Sequence, residues 1–294
     1  MFKLNSCLVC GSSNIESFLV CKDYTFSKEQ FNIDSCKQCG FKFTNPRPEN
    51  NVIGSYYKAD EYISHTNTKK GLVNRLYHYV RNYTLSKKVQ LISSYVSRGT
   101  VLDYGCGTGM FLSACKKYGW NTIGMEPDDQ ARELAKNQGL NILFNKEQIN
   151  EIAASGSLNV ITLWHVLEHV TDLKETLQCF KSLLHKDGVL IIAVPNPNSY
   201  DAQYYKEFWA AYDVPRHLYH FEVNSIKQLL HNNGFKLIET KPMKFDSFYV
   251  SMLSEKYKTG SVNLLKAFWI GLMSNLKAKD TSSYSSTIYV FKHS

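Results

Sequence analysis

Two matched cysteine pairs are the residues most plainly spaced for chemistry: Cys7-Leu8-Val9-Cys10-Gly11 and Cys36-Lys37-Gln38-Cys39-Gly40. A two-residue spacer lets both sulfurs of a pair reach one ion, and the glycine that follows permits the positive φ that turns amide hydrogens toward thiolates. Cys7, Cys10, Cys36 and Cys39 would together supply the four soft ligands of a closed tetrahedral zinc site. Such a site has no open coordination position, so its zinc is structural. Cys21 lies between the pairs and reads as a buried filler.

A second cluster begins at Asp103-Tyr104-Gly105-Cys106-Gly107-Thr108-Gly109. A short apolar strand runs into this turn and a helix leaves it, the first β-turn-α unit of a doubly wound sheet. Gly105, Gly107 and Gly109 let the backbone approach a ligand, and the helix N-terminus offers amide hydrogens to a carboxylate. A dinucleotide fingerprint would place its third glycine at position 110, where this chain has Met110. Asp103 would also repel a pyrophosphate, whereas it suits an ammonium. Glu126 closes the next strand, 21 residues after Gly105, where a carboxylate accepts both hydroxyls of a ribose.

A third pattern, His165-x-x-Glu168-His169, fits an inverted zinc-protease motif. That chemistry needs both histidines one turn apart on a preformed helix, and here an apolar strand leads directly into His165. The pattern therefore reads as a loop rimming the ligand pocket.

On the glycine loop, Glu126 and the segment from His165 to Val170, the chain resembles the class I S-adenosylmethionine-dependent methyltransferases over roughly residues 70–294. The run from Lys186 to Asn196 is similar to that family's turn and fifth strand. The resemblance implies a Rossmann-like α/β sheet of seven strands, the last antiparallel, with the small zinc ribbon in front. It implies that Asp103, Gly105, Cys106, Gly107 and Gly109 line the methionine end of S-adenosylmethionine, that Glu126 holds the ribose, and that Pro127 flanks the adenine. Trp164 and His165 would complete the pocket, as would Asn145 or Lys146. With the cysteine pairs in front, the chain further resembles bacterial sugar and envelope-polysaccharide methyltransferases.

The elements that must position these groups follow from the patterning. Residues 1–48 read as the zinc ribbon, with strand-like stretches at Ser17–Val20 and Phe31–Ile33 and an exit at Asn45-Pro46-Arg47-Pro48. Residues 49–98 read as a helical linker and cofactor lid, including Tyr56, Tyr57, Tyr62 and His65 and a helix over 71–96. Residues 99–294 form the methyltransferase domain. Its strands are expected at 140–144, 158–163, 235–240 and 283–292, besides those flanking the glycine loop and the one after Gly188.

An aromatic insertion at 197–221 emerges at the carboxyl ends of the strands, where ligands bind, and is the expected substrate lid. Methyl transfer from a sulfonium is an in-line displacement, so a base is the one extra group it needs. His217 and His220, which titrate near neutrality, are the candidate catalytic bases, followed by His169. Arg216 suits a phosphate or carboxylate on the acceptor. The apolar segment 262–273 reads as a helix on the sheet edge that leaves room for a peripheral membrane contact.

Composition agrees with an α/β enzyme: 294 residues, 44% hydrophobic and 20% charged, exclude a disordered or fibrous chain. The net charge of +8 is concentrated in front, where residues 1–99 hold 14 Lys/Arg against 7 Asp/Glu. No secretory leader is apparent, and eight cysteines suit free thiols and metal ligands in a reducing, cytoplasmic setting. The function expected is methyl transfer to oxygen or carbon of a small-molecule or glycan-type acceptor, such as a nucleotide sugar or envelope precursor. The alternatives are an RNA methyltransferase, for which no RNA motif is present, and a zinc-ribbon binding protein without catalysis.

Overall fold

Strands that run apolar on both faces belong in the middle of a parallel sheet, and this chain has three of them. In the computed structural model, which describes residues 1–57 and 72–294, these are β4 (Thr100–Tyr104), β7 (Leu158–Trp164) and β8 (Leu184–Pro195). Val101, Leu102, Val160, Ile161 and Leu190 to Val194 are fully buried there. With β5 (Asn121–Met125), β6 (Asn141–Leu143), β10 (Phe235–Pro242) and β11 (Ser286–His293) they form a seven-stranded sheet of order β10-β11-β8-β7-β4-β5-β6. β11 lies antiparallel between β10 and β8, and the pairs from β8 to β6 are parallel. This is the expected Rossmann-like methyltransferase sheet.

Two local expectations need correction. The turn foreseen at Lys186-Asp187-Gly188 lies inside the twelve-residue β8, which absorbs it as a register shift against β7 between Leu158 and Val160. Of the segment 262–273, residues 264–273 open a longer helix, which packs chiefly on other helices instead of the sheet edge. Tyr62 and His65, read above as part of the linker, lie outside the described residues.

Helix α1 (Leu72–Tyr95) leads into β4, and α2 (Met110–Lys117) leaves the glycine loop. Between β10 and β11 the chain forms a hairpin of α3 (Asp246–Thr259) and α4 (Leu264–Thr281), which also packs on the short helix Tyr200–Tyr205 of the insertion.

The front module is a second sheet. β1 (Ile15–Lys22) and β2 (Gln30–Cys36) pair along their length, and β3 (Lys42–Thr44) joins β2. Its fourth strand comes from the insertion: β9 (Tyr219–His220) pairs with β3, setting Tyr219 opposite Phe43 and His220 opposite Lys42. Phe41, Phe43, Tyr219 and Phe221 stack into one buried aromatic cluster across this seam. Arg216 anchors it further, donating to Asp23 at 3.0 Å and to Asp213 at 2.6 Å with all but 2% of its side chain buried. Front module and insertion are thus one packing unit, although 174 residues of chain lie between β3 and β9.

Candidate active site

β4 delivers the glycine loop because its buried Val101 and Leu102 fix it in the sheet and the glycines that follow Tyr104 do not continue the strand. The amides of Gly105 and Cys106 both donate to the Met125 carbonyl, at 2.8 and 3.0 Å, which bends the chain across the end of β5. Gly109, at φ 77°, starts α2, and a Cβ there would lie 2.4 Å from Leu140 and 2.9 Å from Ala135. Gly107 differs. It too has positive φ, 54°, yet a Cβ on it would meet nothing within 4 Å, so the bend faces open space.

Glu126 follows β5 and turns back to this bend. One of its oxygens accepts the Gly107 amide at 2.8 Å and the other the Asp128 amide at 2.9 Å. Burial raises its carboxyl from the ordinary range, opposed by those two amides. A carboxylate offers about four acceptor sites, so two remain for a ligand. Pro127 stands exposed at the rim, where its carbonyl accepts from Arg132.

Asp103 is 2% exposed and takes a 2.6 Å hydrogen bond from the Thr162 hydroxyl. Burial pushes its carboxyl up to about 7, against the pull of Thr162 and Lys88. Lys88, from α1, is the residue the sequence reading missed. Its ammonium lies 4.1 Å from the centre of the Trp164 ring and close to Asp103 and Asp246. A lysine on a helix of uneven amphipathicity carries no signal of its own; only the fold brings it here. The Cys106 thiol is buried and pushed up, chiefly by that burial, so it is a packing group of the loop.

At the end of β7 the chain kinks: His165 has a φ of 59°, in the left-handed region where a non-glycine residue is strained. Its ring, 34% exposed, sits between two carboxylates, with Nε2 3.0 Å from Asp246 and Nδ1 3.6 Å from Glu168. Burial disfavours its charge, but the hydrogen bond to Asp246 and the nearby Glu168 carboxylate outweigh this and push the imidazole up to about 9. Asp246 opens α3, a helix the sequence reading did not foresee. Trp164 packs edge-on against Phe111 of α2.

The two histidines read as bases stand elsewhere. His220 is buried in the seam between β3 and β9, with Thr44 at 3.3 Å and Tyr212 and His217 as ring neighbours. Its imidazole is held well below the ordinary range by that burial and by His217. His217 is also buried, its Nδ1 2.9 Å from the Ala211 carbonyl and its ring against His169. Arg216, read as an acceptor-binding group, is consumed by Asp23 and Asp213.

The four front cysteines converge. Their sulfurs all lie within 4.8 Å of one another, with Cys7 to Cys39 and Cys10 to Cys36 at 3.5 Å. Gly11 and Gly40 have φ of 76° and 73°, and each donates its amide to the first cysteine's carbonyl, so the two knuckles are built alike. Zinc bonds of about 2.3 Å set tetrahedral sulfurs roughly 3.8 Å apart, close to this spacing.

The family model described as a methyltransferase domain matches residues 77–240, which span β4 to β8 and the whole glycine-loop site. The chain belongs to this methyltransferase family. Among curated relatives, the ubiquinone biosynthesis O-methyltransferase of Actinobacillus pleuropneumoniae serotype 7 is 37% identical over 106 residues, covering 33% of this chain and 45% of that protein. The same-named protein of Histophilus somni is 31% identical over 125 residues, covering 39% and 52%. The chain therefore spans about half the length of these relatives. Its fold matches a SAM-dependent methyltransferase of Archaeoglobus fulgidus at a TM-score of 0.50 and 19% identity, covering 72% of this chain and 94% of that one. It also matches magnesium protoporphyrin IX methyltransferase of Synechocystis with bound SAH, at a TM-score of 0.55 and 14% identity over 84% and 100% of the two chains.

Proposed function

We propose that this chain transfers a methyl group from S-adenosylmethionine to an oxygen of a small-molecule acceptor. The observation that carries this reading is the Glu126 carboxylate hydrogen-bonded to the Gly107 amide beside open space. S-adenosylmethionine supplies an electrophilic sulfonium methyl when bound. The chain's own residues fit its parts. Glu126 has two acceptor sites left for the ribose hydroxyls, Asp103 supplies a buried counter-charge for the ammonium, and Lys88 supplies one for the carboxylate. Pro127 flanks the adenine, and Trp164 with Phe111 walls the site against water. The acceptor would enter past His165, at the carboxyl end of β7.

The burial of His217 and His220 argues against the base role read for them, because a base must reach the acceptor's proton. Tyr205, Trp209 and Tyr212 of the insertion are likewise core residues and do not offer their rings to a sugar. We therefore favour an acceptor with apolar surface over a nucleotide sugar or polysaccharide precursor. A groove of about 530 Å³ beside Asp246, lined by Tyr79, Tyr83, Phe245, Phe248, Leu272 and Leu276, supports this. So does α4, whose Leu264, Leu265, Phe268 and Trp269 are exposed. Residues 244–281 carry six lysines and three acids, and two of those acids, Asp246 and Glu255, are already paired with His165 and Lys266. A basic rim around an apolar face suits contact with an anionic membrane that presents the acceptor. No described helix is long and apolar enough to cross a membrane. In the front module, zinc held by Cys7, Cys10, Cys36 and Cys39 is structural in this reading.

Titration calorimetry with S-adenosylmethionine tests the donor site. Glu126→Ala should weaken binding about 100-fold through two lost charge-assisted hydrogen bonds. Undiminished affinity, or no binding by the wild-type chain, would refute the assignment.

A further inference from the structure

We propose that Glu168, His169 and His217 form a second metal site, for a divalent transition-metal ion, which ties the insertion to the sheet. One donor atom from each residue lies within 4.8 Å of the other two. Glu168 is fully buried, and neither of its carboxylate oxygens has a hydrogen-bond partner among the described residues. The nearest cation, His165 Nδ1, is 3.6 Å away.

The two histidines turn their Nδ1 atoms to backbone carbonyls instead. His169 Nδ1 lies 2.9 Å from both the Arg216 carbonyl and the Tyr57 hydroxyl, which itself donates to that carbonyl at 3.4 Å, and His217 Nδ1 lies 2.9 Å from the Ala211 carbonyl. A carbonyl oxygen only accepts, so each Nδ1 is the donor there, which leaves each Nε2 as the ring nitrogen available to a metal. A fully buried, unpartnered carboxylate thus stands within 4.8 Å of two imidazoles whose Nδ1 atoms are engaged elsewhere. Such a carboxylate is costly unless a cation lies beside it. A carbonyl that holds the far nitrogen is also the usual outer partner of a metal-bound imidazole.

The ligand set differs from the one the sequence motif suggests. In His165-x-x-Glu168-His169 the first histidine turns away to Asp246, and its place is taken by His217 from the insertion. The motif rides a single 3-10 turn, Leu167–His169, so a continuous helix does not align its two histidines. Two imidazoles and one carboxylate favour zinc and its neighbours over magnesium or calcium. Three protein ligands leave a fourth position for water or another oxygen ligand. The ion would link the turn after β7 to the insertion immediately before β9. This site stands apart from the methyl-transfer reading, and its test needs no turnover.

Zinc content per chain is measured by mass spectrometry after full-length protein is equilibrated with zinc and desalted. Glu168→Gln and His217→Ala should each hold about one equivalent less than wild type, whatever the front cysteines bind. Equal zinc in wild type and Glu168→Gln would overturn the proposal. Should either variant fail to fold, cobalt(II) added to metal-stripped wild type that has first received a single equivalent of zinc, taken by the four thiolates, decides instead. New d–d absorption without thiolate charge transfer supports the site, and no new absorption overturns it.

Discussion

Asp103 shows how one side chain couples the fold to ligand binding. Its carboxyl is pushed up to about 7 by burial, well above the roughly 3.9 of an unfolded chain. An acid raised in the folded state stabilises fully below the unfolded value, and that contribution is lost as pH rises through about 7. An ammonium placed beside it reverses the preference and draws the proton off. Binding of S-adenosylmethionine at pH 6 should therefore release close to one proton, and affinity should fall about tenfold per unit below pH 7. Calorimetry in two buffers of different ionisation heat reads this directly; identical heats at pH 6 would remove Asp103 from the ammonium site. Gly107 belongs at this scale as well, since its missing side chain is what keeps the bend open.

Among elements, the join between β3 and β9 is the one to test. Two residue pairs are too few to hold a strand by backbone hydrogen bonds alone, so the side chains around them must contribute. Arg216 is one such contribution, with Asp23 fully buried opposite it. Burial would raise the Asp23 carboxyl, but Arg216 and the amides of Ser27 and Phe26 outweigh it and hold the group well below the usual carboxylate range. Arg216→Met leaves Asp23 charged and without its partner, which costs about 3–5 kcal/mol. The thermal midpoint should drop by about 10 °C. A change of a degree or two would mean that the aromatic cluster of Phe41, Phe43, Tyr219 and Phe221 carries the seam unaided.

In the whole molecule, the front module braces the insertion, which in turn borders the site at the end of β7. Leu218 donates its amide to the Glu168 carbonyl and Thr44 donates its hydroxyl to the His217 carbonyl, so sheet, insertion and front module meet at one place. Loosening the cysteine cluster should be felt there. Cys36→Ser should expose both the front module and residues 197–221 to limited proteolysis, with cleavage at least tenfold faster than in wild type. Faster cleavage confined to residues 1–48 would show that the two parts open independently.

The sequence by itself determined the sheet, the glycine loop with Glu126, and the two cysteine knuckles, because each is encoded in contiguous residues: apolar strands, a glycine triplet, and pairs at fixed spacing. The helix bearing Asp246 and the arrival of Lys88 beside Asp103 escaped that reading, since their meaning comes from neighbours distant in the chain. The insertion shows the same limit. Its histidines, arginine and aromatic residues are the types that serve catalysis or recognition, and composition alone could not tell whether they face a ligand or a core. Only the tertiary structure decided it, by folding β9 onto the front sheet and burying Arg216, His217 and His220 in the seam.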